Sequence, residues 1–405
     1  MRSLRADHND SKGLRTVFFR LHTDGTRIPA ALENAFSGPT RTPCWIIGGG
    51  PSLADLPCAG IARTPVPKFC VNLAGHGLFR PDLWTSYDPS ARFHRSIYLD
   101  ASILKFIHER RAMDLVPETT FKVCECPATF FFERDPQRGF ADFVPVAGLS
   151  EAGRTVGDSA TGLTEAGYSR IVDWNDSLVQ AIDIAYRLGF RVLYLAGCEM
   201  FVRPPMEQVE LAAANGVTYA PRETLAAFYD RCEKAGLARG ELERCGLPVQ
   251  YHFDERKPLA ATINTDLHYF RVSQYLRLVR RSLALAGMDL LSVTPQSRLN
   301  DYFPYRRAED VLRKIAKVVG DPALETTRGR YTLTGMRSPE GLGPMRDFRP
   351  HHWPKVAPAA PVRLGAPAGI PGRTASDVNK SAARSRLRQA LDELPEIEVG
   401  INELG

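Results

Sequence analysis

The stretch Cys44-Trp-Ile-Ile-Gly-Gly-Gly-Pro-Ser-Leu-Ala-Asp-Leu56 constrains this chain more than any other. Its first four residues, 44–47, read as a buried strand that runs straight into a glycine turn. Gly48, Gly49 and Gly50 accept backbone angles and close approaches that a side chain forbids. Pro51 sets the chain for a short helix over 52–56, since proline suits a first helical turn. Such a turn aims backbone N–H groups, Ser52 included, at whatever lies above the strand end. A phosphate or carboxylate is the natural occupant. Two common fingerprints are excluded: the sixth position of a G-x-G-x-x-G is Leu53, and no Gly-Lys-Ser/Thr follows as in a P-loop. The competing reading is a glycine-rich turn that holds no ligand.

Other apolar runs stop in the same way. Strands expected over 68–72, 83–86, 191–195 and 290–293 close on Asn72, Tyr87-Asp88-Pro89, Gly197-Cys-Glu199 and Thr294-Pro-Gln-Ser297. Apolar runs ending at small or polar residues mark parallel strands whose carboxyl ends line one crevice. Asn175-Asp-Ser177 caps an expected helix in which Leu178, Ile182, Ala185 and Leu188 recur at helical spacing, with Gly189 ending it. A second long helix is expected over 266–286 on a stripe of Val272, Leu276, Val279 and Leu283, with Asp266 as its cap, and a last one over 307–318. Residues 95–111 read as containing a helix with Ile103, Phe106 and Ile107 on one side, and 16–21 and 121–124 as short strands. The expected fold class is α/β: a Rossmann-like, mostly parallel sheet with flanking helices and an inserted helical subdomain.

On this reading, residues 1–40 form an N-terminal arm and 41–335 a Rossmann-like nucleotide-binding domain. Within that domain, 127–170, with Phe130-Phe-Phe132 and six scattered glycines, is an irregular, lid-like segment, and 205–245 a helical insertion. Beyond 340, Pro, Ala, Gly and Arg dominate through 374, a composition that buries little apolar surface. This tail, 340–405, ends in a short helix and an acidic run and is expected to bind the body or a protein partner. At 405 residues the chain is long enough for a full-sized core. No stretch of about 18 apolar residues occurs, so no membrane span is expected. Nor is a secretory signal expected at the N-terminus. Eight cysteines without a paired zinc spacing read as free thiols, which favours a reducing, cytoplasmic setting. A net charge of +6 permits a nucleic-acid or anionic partner without requiring one.

The strand ends gather the candidates for chemistry. Gly48, Gly49, Gly50, Pro51, Ser52, Asn72, Gly197, Glu199, Thr294 and Ser297 are the expected nucleotide-binding set, with Asn72 offering both a donor and an acceptor to a base or ribose. Asp88 reads as a group that binds a hydroxyl, a metal or an attacking group, as a base for an acceptor hydroxyl, or as a helix or turn cap. His252, in Tyr251-His-Phe-Asp254, reads as a general acid or base, as a charge beside a leaving phosphate, or as a core histidine. Asp254, Asn264, Asp266 and His268 are polar neighbours of lower rank. Arg298, Arg306 and Arg307 are phosphate contacts or surface charge. No nucleophile elbow, H-E-x-x-H or kinase signature is present, and no metal ligand is assigned.

Taken as an ordered set, Ile47-Gly-Gly-Gly-Pro-Ser-Leu53, Val71-Asn72, Tyr87-Asp88, the run from Asn175 to Met200 and Ser292-Val-Thr-Pro-Gln-Ser-Arg-Leu299 resemble two related groups of proteins. One is the 6-hydroxymethylpterin pyrophosphokinase-like family of phages and bacteria. The other comprises bacterial sialyltransferases and flagellin glycosyltransferases that use CMP-linked nonulosonic acids. The match covers about 44–310, with 127–170 and 205–245 poorly represented. The resemblance implies a nucleotide at Gly49, Gly50, Pro51, Ser52 and Asn72, a nucleotide-sugar donor and a histidine, here His252, assisting the departing phosphate without a metal. Where those proteins often carry aspartate after the later strand, this chain has Glu199. The pyrophosphokinase-like branch implies ATP with Mg²⁺ and diphosphate transfer to an alcohol. The function expected is thus a nucleotide-dependent transferase, glycosyl transfer ahead of diphosphoryl transfer, with DNA, RNA or protein as further possible acceptors. A non-catalytic, phage-associated or structural binding protein is the opposing class.

Overall fold

The computed structural model describes residues 16–38, 41–74, 77–136, 139, 170–246, 248–253 and 255–318. Most of the lid-like segment, the tail and Asp254 lie outside the described residues, as does the first part of the N-terminal arm.

The short apolar runs pair into one nine-stranded sheet. Its strands in chain order are β1 (Phe19–Leu21), β2 (Arg27–Pro29), β3 (Pro43–Ile47), β4 (Lys68–Val71), β5 (Leu83–Thr85), β6 (Leu104–His108), β7 (Thr129–Phe132), then β10 (Val192–Ala196) and β13 (Asp289–Ser292). Two minor pairs are formed by β8 (Arg134–Asp135) with β9 (Ile171–Val172), and by β11 (Val249–Gln250) with β12 (Arg256–Lys257). The large sheet runs β13-β10-β3-β4-β5-β6-β7-β1-β2 and is parallel from β13 to β7; only the β1–β2 edge is antiparallel. Cys44, Trp45, Ile46 and Ile47 are fully buried, as a strand covered on both faces requires.

From β3 the chain steps to β4 on one side and later returns to β10 on the other. The order therefore reverses between β3 and β10, and in sheets of this kind ligands bind outside the carboxyl ends of the strands at such a switch point. The helices flanking this architecture are α1 (Cys58–Arg63), α2 (Arg95–Leu99), α3 (Ser177–Arg187), α4 (Met206–Ala214), α5 (Leu225–Lys234), α6 (Arg239–Glu243), α7 (Leu259–Leu285) and α8 (Ala308–Val318). Asp176 caps α3, its Oδ1 accepting the N–H groups of Leu178 and Val179, and Gly189 follows the helix at a φ of 100°. Helices α4, α5 and α6 enclose a second apolar cluster built on Leu225, Phe228, Cys232 and Leu242. Helix α7 joins the two cores. Leu259 and Ile263 pack in the helical cluster, while Val272, Leu276, Val279 and Leu283 pack against the sheet.

Four expectations are corrected. Helix α2 stops at Leu99, and the residues read as its continuation form β6, because Asp100 turns the chain by accepting the N–H of Ser102. Thr129–Phe132 is an inner strand rather than the start of an irregular segment. Val123–Glu125 is a 3₁₀ turn, not a strand. Asp266 lies inside α7, which begins a full two turns earlier, just after Pro258. Fully buried, it accepts the N–H groups of Val202 (2.8 Å) and Leu225 (2.9 Å) and pairs with Arg298 at 3.1 Å. No helix among the described residues is long and apolar enough to cross a membrane.

Candidate functional site

Above β3 the glycine turn is closed by the protein itself. The N–H of Gly48 donates to Ala196 O (2.7 Å), that of Gly50 to Gly197 O (2.8 Å) and that of Ser52 to Glu199 Oε1 (2.6 Å). A Cβ on Gly50 would overlap the Glu199 carboxyl, and one on Gly48 would run into Gly197 O. The glycines thus let the loops after β3 and β10 touch, and the group above the turn is the Glu199 carboxyl. Burial pushes its carboxyl above the ordinary 4.5, and hydrogen bonding from Ser52 works against that rise. Among the described residues, Glu199 Oε2 and Ser52 Oγ, both buried, have no hydrogen-bond partner. Pro51, Ser52 and Glu199 also edge a cleft of 660 Å³ that runs toward Arg203, Gln250 and Arg256.

Thr294 and Ser297 lie beneath this crevice, not on its surface. Both are fully buried. Thr294 Oγ1 accepts the Cys198 N–H (3.0 Å) and donates to Leu195 O, and Ser297 Oγ donates to Cys198 O (2.6 Å). Arg298 is equally committed, spending its guanidinium on Met200 O, Arg222 O, Glu223 O and Asp266. These residues lock the loops after β10 and β13 together.

On the β4–β5 side the polar groups face open space. Asn72 takes a φ of 54° at the end of β4, a conformation asparagine tolerates better than most residues. Its Oδ1 accepts from Ser86 Oγ (2.8 Å) and Ser177 Oγ (2.9 Å). Asp88 pairs with Arg92 at 2.5 Å, and its backbone N–H donates to Ser86 Oγ, so the hydroxyl that closes this turn belongs to Ser86. His252 lies across Gly49, where an added Cβ would come within 3.1 Å of the imidazole. It sits in the turn between β11 and β12, and both ring nitrogens are engaged: Nδ1 with Glu255 Oε2 at 2.5 Å, Nε2 with Tyr269 Oη at 2.9 Å. Burial works to raise the Glu255 carboxyl, but the hydrogen bond and charge of His252, with help from Tyr251 and Arg92, together outweigh it and leave the group below its ordinary value.

Asn72, Asp176, Ser177, Tyr251, His252 and Tyr269 line both an 80 Å³ recess against the glycine turn and a 350 Å³ cavity that opens toward Asp88. Lys257, Asn264 and His268 complete the larger wall. Lys257 Nζ lies 3.9 Å from the centre of the Tyr251 ring and donates to Thr265 Oγ1. Burial, aided by the Arg92 charge, brings its ammonium down to about 8. His268 Nε2 faces Asp176 Oδ2 at 3.1 Å. Among the described residues no group of three or more His, Cys, Asp or Glu is placed to hold a metal ion.

The fold thus brings Gly48, Gly49, Gly50, Asn72, Gly197, Glu199 and His252 to one recess, sets Asp88 on the adjoining cavity and leaves Thr294 and Ser297 below. Sequence reading missed Glu255, Tyr269 and Lys257 altogether. Glu255, three residues after His252, carried a local signal in its spacing. Tyr269 and Lys257 carried none, because their place on the cavity depends on the start of α7. Compared with protein-family models, with curated proteins and with solved structures, the chain matches none.

Proposed function

We propose that this chain is a nucleotide-dependent transferase with a Rossmann-like sheet, moving a group, foremost a sugar from a nucleotide-sugar donor, to an acceptor hydroxyl. The observation that carries this reading is the His252 imidazole laid across Gly49 at the switch point of the sheet, on the shared wall of two adjoining cavities. One cavity then takes the donor and the other the acceptor. Asn72, with its Oδ1 committed, has its amide N–H group for a base or ribose. His252, with both ring nitrogens held by Glu255 and Tyr269, acts beside the leaving phosphate as a fixed charge rather than as a hydrogen-bond donor, a form of electrostatic preorganisation that contributes most in a dry site. Asp88 contacts the acceptor beside Arg92.

A thermal-shift series with CMP, UMP, GDP, ATP and nucleotide-sugars, each with and without Mg²⁺, tests this. A nucleotide at 100 times its Kd stabilises the fold by about 2.7 kcal/mol, an easily read rise in Tm. CMP or a CMP-sugar acting without metal is the expected outcome, and Asn72→Ala should abolish the shift. ATP acting only with Mg²⁺ would move the assignment to diphosphate transfer. If no nucleotide shifts the wild type, the proposal fails.

A second reading is favoured by Glu199. A turn whose anion position is filled by the protein's own carboxyl suits a non-catalytic binding protein that kept the fold without the chemistry. Ligand binding without turnover under any of these conditions would select it.

A further inference from the structure

Of the carboxyl, amine and imidazole groups on the 350 Å³ cavity, Asp176 is spent on the start of α3 and on His268, Glu255 on His252, and Lys257 on Thr265 and the Tyr251 ring. The remaining three with the chemistry to take a proton from a bound hydroxyl are Asp88, His252 and His268. A base needs a free lone pair within reach of the proton it removes. His252 lacks one, since Glu255 holds Nδ1 and Tyr269 holds Nε2. Asp88 is drawn into its ion pair with Arg92. His268 differs from both. Its side chain is 37% exposed, it stands on α7 at the cavity wall, and only Nε2 is engaged. Among the described residues, Nδ1 has no hydrogen-bond partner.

The group on Nε2 determines which nitrogen keeps the proton. Asp176 Oδ1 is anchored by the N–H groups of Leu178 and Val179 at the start of α3, where negative charge is favoured. Its Oδ2 therefore meets His268 as an acceptor, which places the imidazole proton on Nε2 and the lone pair on Nδ1. We propose that His268, oriented by Asp176, is the general base of this cavity. This rests on the transferase reading above. In the step, the substrate hydroxyl passes its proton to His268 Nδ1 while its oxygen forms a bond to the transferred group. The bond from that group to the donor phosphate breaks, and its electron pair leaves with the phosphate. The resulting imidazolium faces the Asp176 carboxylate until Nδ1 returns its proton to water.

The test uses the full-length protein in two measurements. Carbethoxylation by diethyl pyrocarbonate, mapped by mass spectrometry, reads the free nitrogen without any substrate. His268 should label at least about tenfold faster than His252, and Asp176→Asn should slow its labelling; asparagine is as good an N-cap as aspartate, so α3 keeps its start. Turnover of a CMP-linked nonulosonic sugar is then compared for wild type, His268→Ala and Asp176→Asn. Loss of a general base lowers kcat by roughly 10²–10⁴-fold. With His268→Ala, KM should stay within threefold and added imidazole should restore part of the rate. Equal labelling of the two histidines, or full kcat in His268→Ala, overturns the assignment while leaving the transferase reading in place. A wild type that turns over no nucleotide-sugar overturns both.

Discussion

The two sides of the crevice spend their polar residues in opposite ways. On the β10–β13 side, Glu199, Thr294, Ser297, Arg298 and Asp266 bond to backbone and to one another. On the β4–β5 side, Asn72, Asp88, His252 and His268 pair with one or two neighbouring side chains and line open volume. The same strand-end chemistry therefore does two jobs. Buried polar groups must find partners inside the protein, so the enclosed side becomes a latch, whereas the open side keeps hydrogen-bonding capacity for something that arrives from solution.

The sharpest way to break this contrast is to open the latch at its centre. Asp266→Ala leaves Arg298 buried without its carboxylate and strands two buried N–H groups, and breaking a buried pair of this kind costs about 3–5 kcal/mol. Urea denaturation should show that loss; a cost below about 1 kcal/mol would mean the latch is not a latch. A smaller effect is expected at the turn. Gly50→Ala forces a Cβ into the Glu199 carboxyl and should cost about 1–3 kcal/mol, as overpacking does. In a Glu199→Ala background the same change should cost much less, because the two residues couple by contact. Equal costs in both backgrounds would remove Glu199 from the turn.

The smallest effect is in pH dependence, and the two sides should slope in opposite directions. Glu199 is raised above 4.5 by burial, so the folded chain holds its proton longer than the unfolded one. Its cost is absent below 4.5, grows as pH rises past that value, and is complete above the folded value. Stability of the wild type relative to Glu199→Gln should therefore decline with pH through that interval. Lys257 is lowered to about 8 from 10.5, so the unfolded chain holds the extra proton. Relative to Lys257→Met, the wild type should gain stability as pH rises from about 8 to 10.5. Parallel slopes for the two pairs would contradict the burial assigned to one of them.

Much of the sheet was legible because a strand buried on both faces is a short apolar run, and 44–47, 68–72 and 191–195 show it without ambiguity. Strand β6 was not. Ile103, Phe106 and Ile107 fall at spacings of three and four, which mimic a helix face, and Lys105 breaks the apolar run. In the fold Lys105 is fully buried with its ammonium donating to Asp100 O and Ile103 O, a solution visible only once those carbonyls are in place. Of the candidate site, Asn72, Asp88, His252 and the glycine turn could be read because each sits at a strand end or in a distinctive local run. Tyr269, which engages Nε2 of His252, could not be ranked, since it comes from a helix 17 residues away in the chain, whereas Glu255 on Nδ1 lay within reach of local spacing and went unread.

Local patterns, then, were enough to determine the alternation of buried strands and capped helices, and with it the presence of a crevice at the strand ends. Spacing and capping act within a few residues, so one chain segment carries them whole. What occupies each polar group is decided by residues far apart in sequence, and only the tertiary structure brings those together. That is why the turn at Gly48–Ser52, which the sequence presents as a seat for an outside anion, holds the carboxyl of Glu199, and why an imidazole with a free nitrogen stands at His268 and not at His252.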